Sequence, residues 1–335
     1  MALVLAWKTQ FTLLFVIFGM YASQVTCRNL QDPSSMLEKH ESWMARHGRT
    51  YENDIEKAKR LNIFKKNVKF IESFNNNGSR SYKLGINKFS DLTSEEFLRY
   101  YTTNHGVNNK FSSIKSQKLS PTTISSFKYE NMSDVPSEMD WRKSGVVTSI
   151  KDQGRCGANK LSTGKLISLS EQQLLDCSIE NDGCNGGLMT TAYDYIIKNN
   201  GIAAESDYPY EENQDSCKIQ DSIVTMSNYE TLPPSSEPTL LTAVARQPIS
   251  VGIAVNEEFQ SYQSGVYDGN CGDELNHAVT IVGYGINNEN GAKYWLIKNS
   301  WGSSWGENGY MKIARDIGNN DGLCGIATKP SYPIV

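Results

Sequence analysis

His277 is the only histidine in residues 135–335, and it opens an apolar run, Ala278-Val279-Thr280-Ile281-Val282-Gly283-Tyr284, directly behind Asn276. A side-chain amide, Asn299, stands downstream in Lys298-Asn299-Ser300-Trp301-Gly302. An imidazole and an amide together suit a thiol nucleophile. The ring holds the thiolate and later protonates a leaving amine, and the amide fixes the ring's tautomer without adding charge. A lone buried histidine also fits a purely structural role. Gln153, in Asp152-Gln153-Gly154, precedes Cys156 by three residues, where its amide could donate to a developing oxyanion; it equally fits a polar loop. Trp301 and Trp305 read as well for core aromatics as for a shield over a His277–Asn299 bond. Cys184-Asn185-Gly186-Gly187-Leu188 is either a bare turn or a backbone edge to which an extended peptide can bond like an added strand.

Cysteine usage narrows the compartment. Cys27 lies close behind an N-terminal apolar run; the other six, Cys156, Cys177, Cys184, Cys217, Cys271 and Cys324, form an even set. In a secreted chain such a set implies three disulfides. Zinc is the weaker reading, because no pair has C-x-x-C spacing and His277 is the only histidine near them. No metal and no cofactor is expected. Lys8 precedes the run Phe11 to Tyr21, which is too short for a membrane span and gives way to small polar residues. That predicts a cleaved signal peptide over residues 1–26, entry into the secretory pathway, and no membrane attachment after cleavage. Asn77-Gly78-Ser79 and Asn131-Met132-Ser133 are candidate glycosylation acceptors, set against a reading as unused chance sequons.

The elements that must position these residues fall into two blocks. The 335-residue chain is about 42% apolar with glycine counted and tyrosine left out, close to a globular composition and unlike collagen, solenoids or disorder. Its net charge of −4 hides an asymmetry: residues 28–134 carry 18 Lys/Arg against 12 Asp/Glu, and residues 135–335 carry 14 against 25. A +6 block and a −11 block complement each other, and no basic patch points to nucleic acid. In the basic block, Glu56, Arg60, Phe64, Asn67, Ile71 and Asn75 share one face of a predicted helix, with Asn53 or Asp54 as its cap. Alternation over residues 84–91 predicts a short strand. Tyr101 to Asn131 reads as a linker. In the acidic block, Ser170 caps a helix with Gln173 three residues on, and a second helix runs from Met189 to Lys198. Strands are expected over Ile249–Val255, His277–Tyr284, Tyr294–Asn299 and Tyr310–Arg315. Helices followed by antiparallel strands argue an α+β chain whose two lobes face each other across a cleft.

The helical stripe followed by Gly85-x-Asn87-x-Phe89-x-Asp91 resembles the inhibitory propeptide of papain-like cysteine proteases, and the acidic block resembles their peptidase domain, particularly in the plant vacuolar and secreted group. The resemblance covers residues from about 36 to 335. It implies a papain-like two-lobed α+β fold, with a helical lobe and an antiparallel β-barrel-like lobe, preceded by a helical propeptide. The domains would be a signal peptide (1–26), an inhibitory propeptide with linker (27–134) and a peptidase domain (135–335). The implied product is a monomeric zymogen of a peptide-bond hydrolase that acts on proteins or peptides and is held by its own propeptide, in a vacuole, a lysosome or outside the cell. By the same resemblance His277 is the catalytic imidazole, Asn299 its orienter and Gln153 the oxyanion donor. Gly186, Gly187, Met189, Trp301 and Lys329 line the substrate groove; Met189 favours apolar side chains there and Lys329 disfavours basic ones. The implied disulfides are Cys156–Cys184, Cys177–Cys217 and Cys271–Cys324.

One departure stands out. In the family a second cysteine, the nucleophile, closely follows the disulfide cysteine after the oxyanion glutamine. Here the chain reads Cys156-Gly157-Ala158-Asn159-Lys160-Leu161-Ser162, with Asn159 where the nucleophile belongs. About a dozen residues are missing after Gly157 in the simplest alignment, so this chain is expected not to cleave peptides. The alternative is a pseudoprotease, or a propeptide-based inhibitor, that binds peptides or proteases without cutting them.

Overall fold

The computed structural model describes residues 33–102, 127–130, 132, 134–154, 156, 167–218, 220–272 and 274–335. The expected signal peptide, most of the linker, Cys27, the Asn131 sequon and the stretch from Gly157 to Leu166 lie outside the described residues or are cut by their limits. Two compact units divide the chain, Met1–Lys65 and Lys66–Val335.

In the first unit, helix α1 (Pro33–His47) and the start of helix α2 (Asp54–Asn76) build a small aromatic core. The Phe64 ring lies 5.1 Å from His40 and 5.3 Å from Trp43. Asn53 caps α2 as expected: its Oδ1 accepts the Glu56 N–H at 2.9 Å. Arg60 then donates to Glu56 one turn back, at 2.6 Å.

The second unit begins with the rest of α2. Asn67 donates to the carbonyls of Ser90 and Leu92, both at 2.9 Å, and Asn75 exchanges hydrogen bonds with the backbone of Leu84. Asn67 and Asn75 of the stripe therefore tie down the backbone of residues 84–92. The strand expected over 84–91 is a correction. Only β1 (Tyr82–Leu84) is strand, and residues 85–91 bend. Asn87 Oδ1 takes the Phe89 N–H, Ser90 Oγ takes the Asn87 N–H, and the Ser90 N–H returns to Asn87 O. Local side-chain partners outcompete a ladder there, and the period of two misled. Helix α3 (Ser94–Tyr101) follows, opened by a Thr93–Glu96 capping box.

Helices α4 (Glu171–Cys177) and α5 (Met189–Lys198) form the helical lobe around Leu174, Ala192, Tyr193, Ile196, Ile202 and Met226. Ser170 caps α4 as predicted, accepting the Gln173 N–H at 2.9 Å. The Gln173 side chain does not close the box, because its Oε1 is taken by the Ala203 N–H at 2.7 Å.

A mostly antiparallel sheet supplies the other lobe. Its further strands are β2 (Met139–Asp140), β3 (Asn228–Thr231), β4 (Ile249–Ile253), β5 (Tyr262–Tyr267), β6 (His277–Ile286), β7 (Lys293–Lys298), β8 (Tyr310–Ala314) and β9 (Ser331–Ile334). The strand path is β1-β5-β8-β7-β6-β4-β9-β3, with β2 against β6. The path has two ends, and its β5–β8 pairing is parallel, a departure from the expected all-antiparallel order. The long connection between β5 and β8 permits this, whereas a hairpin would not. β4 stops two residues early because the Ala254 N–H goes to Cys324 O and the Val255 N–H to Asn276 Oδ1. Helices α6 (Glu237–Val244), capped by Ser236, and α7 (Glu257–Ser261), capped by Asn256, flank the sheet. Trp295, Trp301, Trp305, Tyr267 and Tyr332 are fully buried in its core.

Candidate active site

Strand register brings the imidazole to its amide. β4, β6 and β7 run side by side, with His277 opposite Ile253 and Thr280 opposite Lys298, so the start of β6 meets the residue just past the end of β7. There His277 Nε2 lies 2.8 Å from Asn299 Oδ1. The same oxygen accepts the Ser300 N–H at 2.8 Å. A carboxamide oxygen only accepts, so Nε2 carries the proton and Nδ1 keeps the lone pair of a base. Trp301 stacks on the imidazole at 4.7 Å and meets Trp305 edge-on at 4.9 Å. Burial lowers the His277 pKa to about 4, and the bond to Asn299 opposes that shift. Asn276 anchors the approach to the ring by exchanging hydrogen bonds with the Val255 backbone at 2.7 and 3.0 Å.

Gln153 comes from a different segment but joins the same residues. Its N–H donates to Ser300 O at 2.8 Å, and its Oε1 accepts from Ser300 Oγ at 2.5 Å. With the carbonyl end of the amide so occupied, the NH₂ end is the donor left to offer. Ser300 therefore bridges Gln153 and Asn299, a role invisible in the sequence beyond its place between Asn299 and Trp301. Tyr210 was also missed: its hydroxyl donates to the carbonyls of Gln153, at 2.9 Å, and Cys156.

The three expected disulfides are present, Cys156–Cys184, Cys177–Cys217 and Cys271–Cys324. The first ties the Gln153 segment to the loop carrying Gly186 and Gly187. A side chain on Gly187 would run into Asn181, 2.2 Å from its Cβ, and the backbone N–H and C=O of Gly187 are unpaired among the described residues. Met189 opens α5 and packs against the helical-lobe core. Lys329 lies two residues before β9, and burial lowers its pKa.

Residues of the basic block cover this arrangement. β1 pairs with β5, the Tyr82 hydroxyl donates to Glu258 at 2.5 Å, and Asn87 and Gln260 trade hydrogen bonds with the backbone of each other's segment. Phe89 and Phe97 meet Trp301 edge-on at 6.0 and 5.1 Å, and Lys88 pairs with Asp152 beside Gln153.

Residues 135–334 match the papain family cysteine protease, and residues 40–97 match the cathepsin propeptide inhibitor domain. The chain belongs to the papain family. It is similar to the senescence-specific cysteine protease SAG39 of Oryza sativa subsp. japonica, 46% identical with 96% of this chain and 98% of the relative covered. Fruit bromelain of Ananas comosus is 41% identical, with 98% and 95% covered. Among solved structures, the proform of the Amb a 11 cysteine protease, a ragweed pollen allergen, superposes with a TM-score of 0.80 at 38% identity, covering 91% of this chain and 96% of that one. The recombinant stem bromelain precursor gives 0.77 at 40%, covering 90% and 99%. By family this is a cysteine-type endopeptidase in zymogen form, and the papain-like fold with its helical propeptide, predicted from sequence, is the fold found. The propeptide contacts on Trp301 and Asp152 are those of an intramolecular inhibitor.

Proposed function

We propose that His277, Asn299 and Gln153 are the acid–base, orienting and oxyanion-donor residues of a papain-type peptide hydrolase, and that this chain lacks the nucleophile and does not turn over. The carrying observation is that all six cysteines of residues 135–335 are in disulfides, which leaves no thiol for the His277 base. The alignment with the Oryza sativa relative extends over 343 positions, more than this chain's 335 residues, so the relative has residues that this chain lacks. That agrees with an omitted segment, whose place after Gly157 rests on the residues around Cys156. In the restored enzyme the free backbone of Gly187 pairs with an extended substrate, Met189 favours apolar side chains, and Lys329 disfavours basic ones. The propeptide ends at Asp134, and the chain enters the secretory pathway toward a vacuole, a lysosome or the exterior.

A second reading, a non-cleaving binder or inhibitor, is favoured by one feature. Among the described residues, the surface that receives the propeptide is built from residues 258–267 and 300–302 with Asp152. The test is thiol-protease turnover and uptake of a thiol-reactive epoxide after acid processing. This chain should show neither, and insertion of the family segment with its cysteine should produce both. Turnover by this chain that vanishes on His277→Ala would overturn the proposal.

A further inference from the structure

Two N-x-S/T sequons occur in the chain, at Asn77 and Asn131, and none lies in residues 135–335. Asn77-Gly78-Ser79 forms the turn from α2 to β1, and residues 75–80 are exposed without a break. The helix closes there with the Asn77 N–H on Phe74 O at 3.3 Å and the Gly78 N–H on Asn76 O at 3.2 Å. Gly78 makes the turn at φ 83°, with open space where a Cβ would stand. Other asparagines of this block are spent on structure: Asn53 caps α2, Asn67 and Asn75 hold backbone of the 84–92 segment, and Asn87 reaches Gln260 O. The Asn77 carboxamide has no hydrogen-bond partner among the described residues. The turn is held without it, by Asn75 on Leu84 and by the Arg80 guanidinium 4.2 Å above the Phe74 ring.

We infer that Asn77 is an N-glycosylation site, modified from a lipid-linked diphosphate oligosaccharide during secretory entry; this rests on the secretory reading proposed above. In the transfer, Asn77 Nδ2 bonds the anomeric carbon while the bond from that carbon to the diphosphate oxygen breaks. The lipid diphosphate leaves with the electron pair and the amide gives up one proton. Ser79 supplies the hydroxyl at the recognition position of the sequon. The product is a bulky, hydrated group on an exposed turn, at no cost in internal hydrogen bonds. Because residues 135–335 have no sequon, carbohydrate at Asn77 labels the zymogen and departs with the propeptide.

The full chain, expressed in a eukaryotic secretory host, tests this. The N-terminus is sequenced to establish leader removal, and peptides are mapped after an amidase that releases N-glycans and leaves Asp at the modified position. Expected are Asp at position 77 and a mobility shift lost in both Asn77→Gln and Ser79→Ala, but kept in Ser79→Thr and Asn131→Gln. Thermal midpoints of the unglycosylated variants should match that of the enzymatically deglycosylated parent. Leader removal with unmodified Asn77 overturns the site alone. A retained leader overturns both the site and the secretory reading.

Discussion

The two sides of the proposed active site are held in different ways. On the sheet side, His277, Asn299 and Trp301 are set by the registers of β4, β6, β7 and β8, with Asn276 locking the entry to β6. Removing any one bond leaves many others to keep the geometry. On the helical side, the described residues hold Gln153, Cys156 and Gly187 by links between loops rather than by ladders. They include an isolated bridge between Asp152 and Trp301, the Tyr210 hydroxyl, the Ser300 contacts and the Cys156–Cys184 crosslink. A half-site built on ladders is expected to persist when its counterpart changes, so under the proposal above the imidazole–amide pair stands without a thiol.

The largest effect is expected from supplying the segment proposed to be missing after Gly157. Insertion of the family segment should raise turnover by a factor on the order of 10⁶, the cost typical of a lost nucleophile. In that enzyme His277→Ala should abolish turnover and Asn299→Ala should reduce it less; a fully active His277→Ala variant would refute the assignment. Trp301→Ala comes next, because it empties the aromatic stack between His277, Trp305, Phe89 and Phe97, and it should cost about 3–5 kcal/mol in urea unfolding. The Cys156→Ala/Cys184→Ala pair should cost about 3.6 kcal/mol, the scale for a crosslink spanning 28 residues. It should leave the His277 NMR shifts nearly unmoved, since the ladders rather than the crosslink place the ring.

A finer comparison uses pH. Burial depresses the His277 pKa to about 4 from its ordinary value of 6.5, so the unfolded state binds more protons between those values. The stability that His277 contributes is therefore present above about 6.5 and is lost as pH falls toward 4. Glu171, in the helical half, has the opposite sign. Burial and its hydrogen bond to Glu205 raise its pKa from 4.5 to about 7, while Lys151 opposes the shift. Its contribution is present below about 4.5 and is lost as pH rises through 7. Urea midpoints at pH 5 and pH 7 should show Glu171→Gln gaining more with pH than the parent and His277→Ala gaining less. Equal slopes in all three would remove the argument. The smallest effect belongs to Lys88→Ala, which deletes a partly exposed ion pair with Asp152 and should cost less than about 1 kcal/mol.

Much of this protein was legible in its residues. The helix over 54–76, the Ser170 cap, the cysteine parity and the run opening at His277 follow from local chemistry and spacing, because capping, periodicity and covalent pairing act over short stretches or by count. The bend at residues 85–91 was not legible, since alternation of side chains says nothing about which hydrogen-bond partner each backbone group will find. The same holds for the parallel β5–β8 pairing and for Ser300 and Tyr210. Each depends on segments far apart in sequence being brought within about 3 Å, where a hydrogen bond is decided. The sequence by itself determined which groups could do chemistry and that no cysteine stands between Cys156 and Cys177. Only the tertiary structure decided that Asn299 Oδ1 faces Nε2 and leaves Nδ1 as the base, because the tautomer is set by a contact that strand register creates.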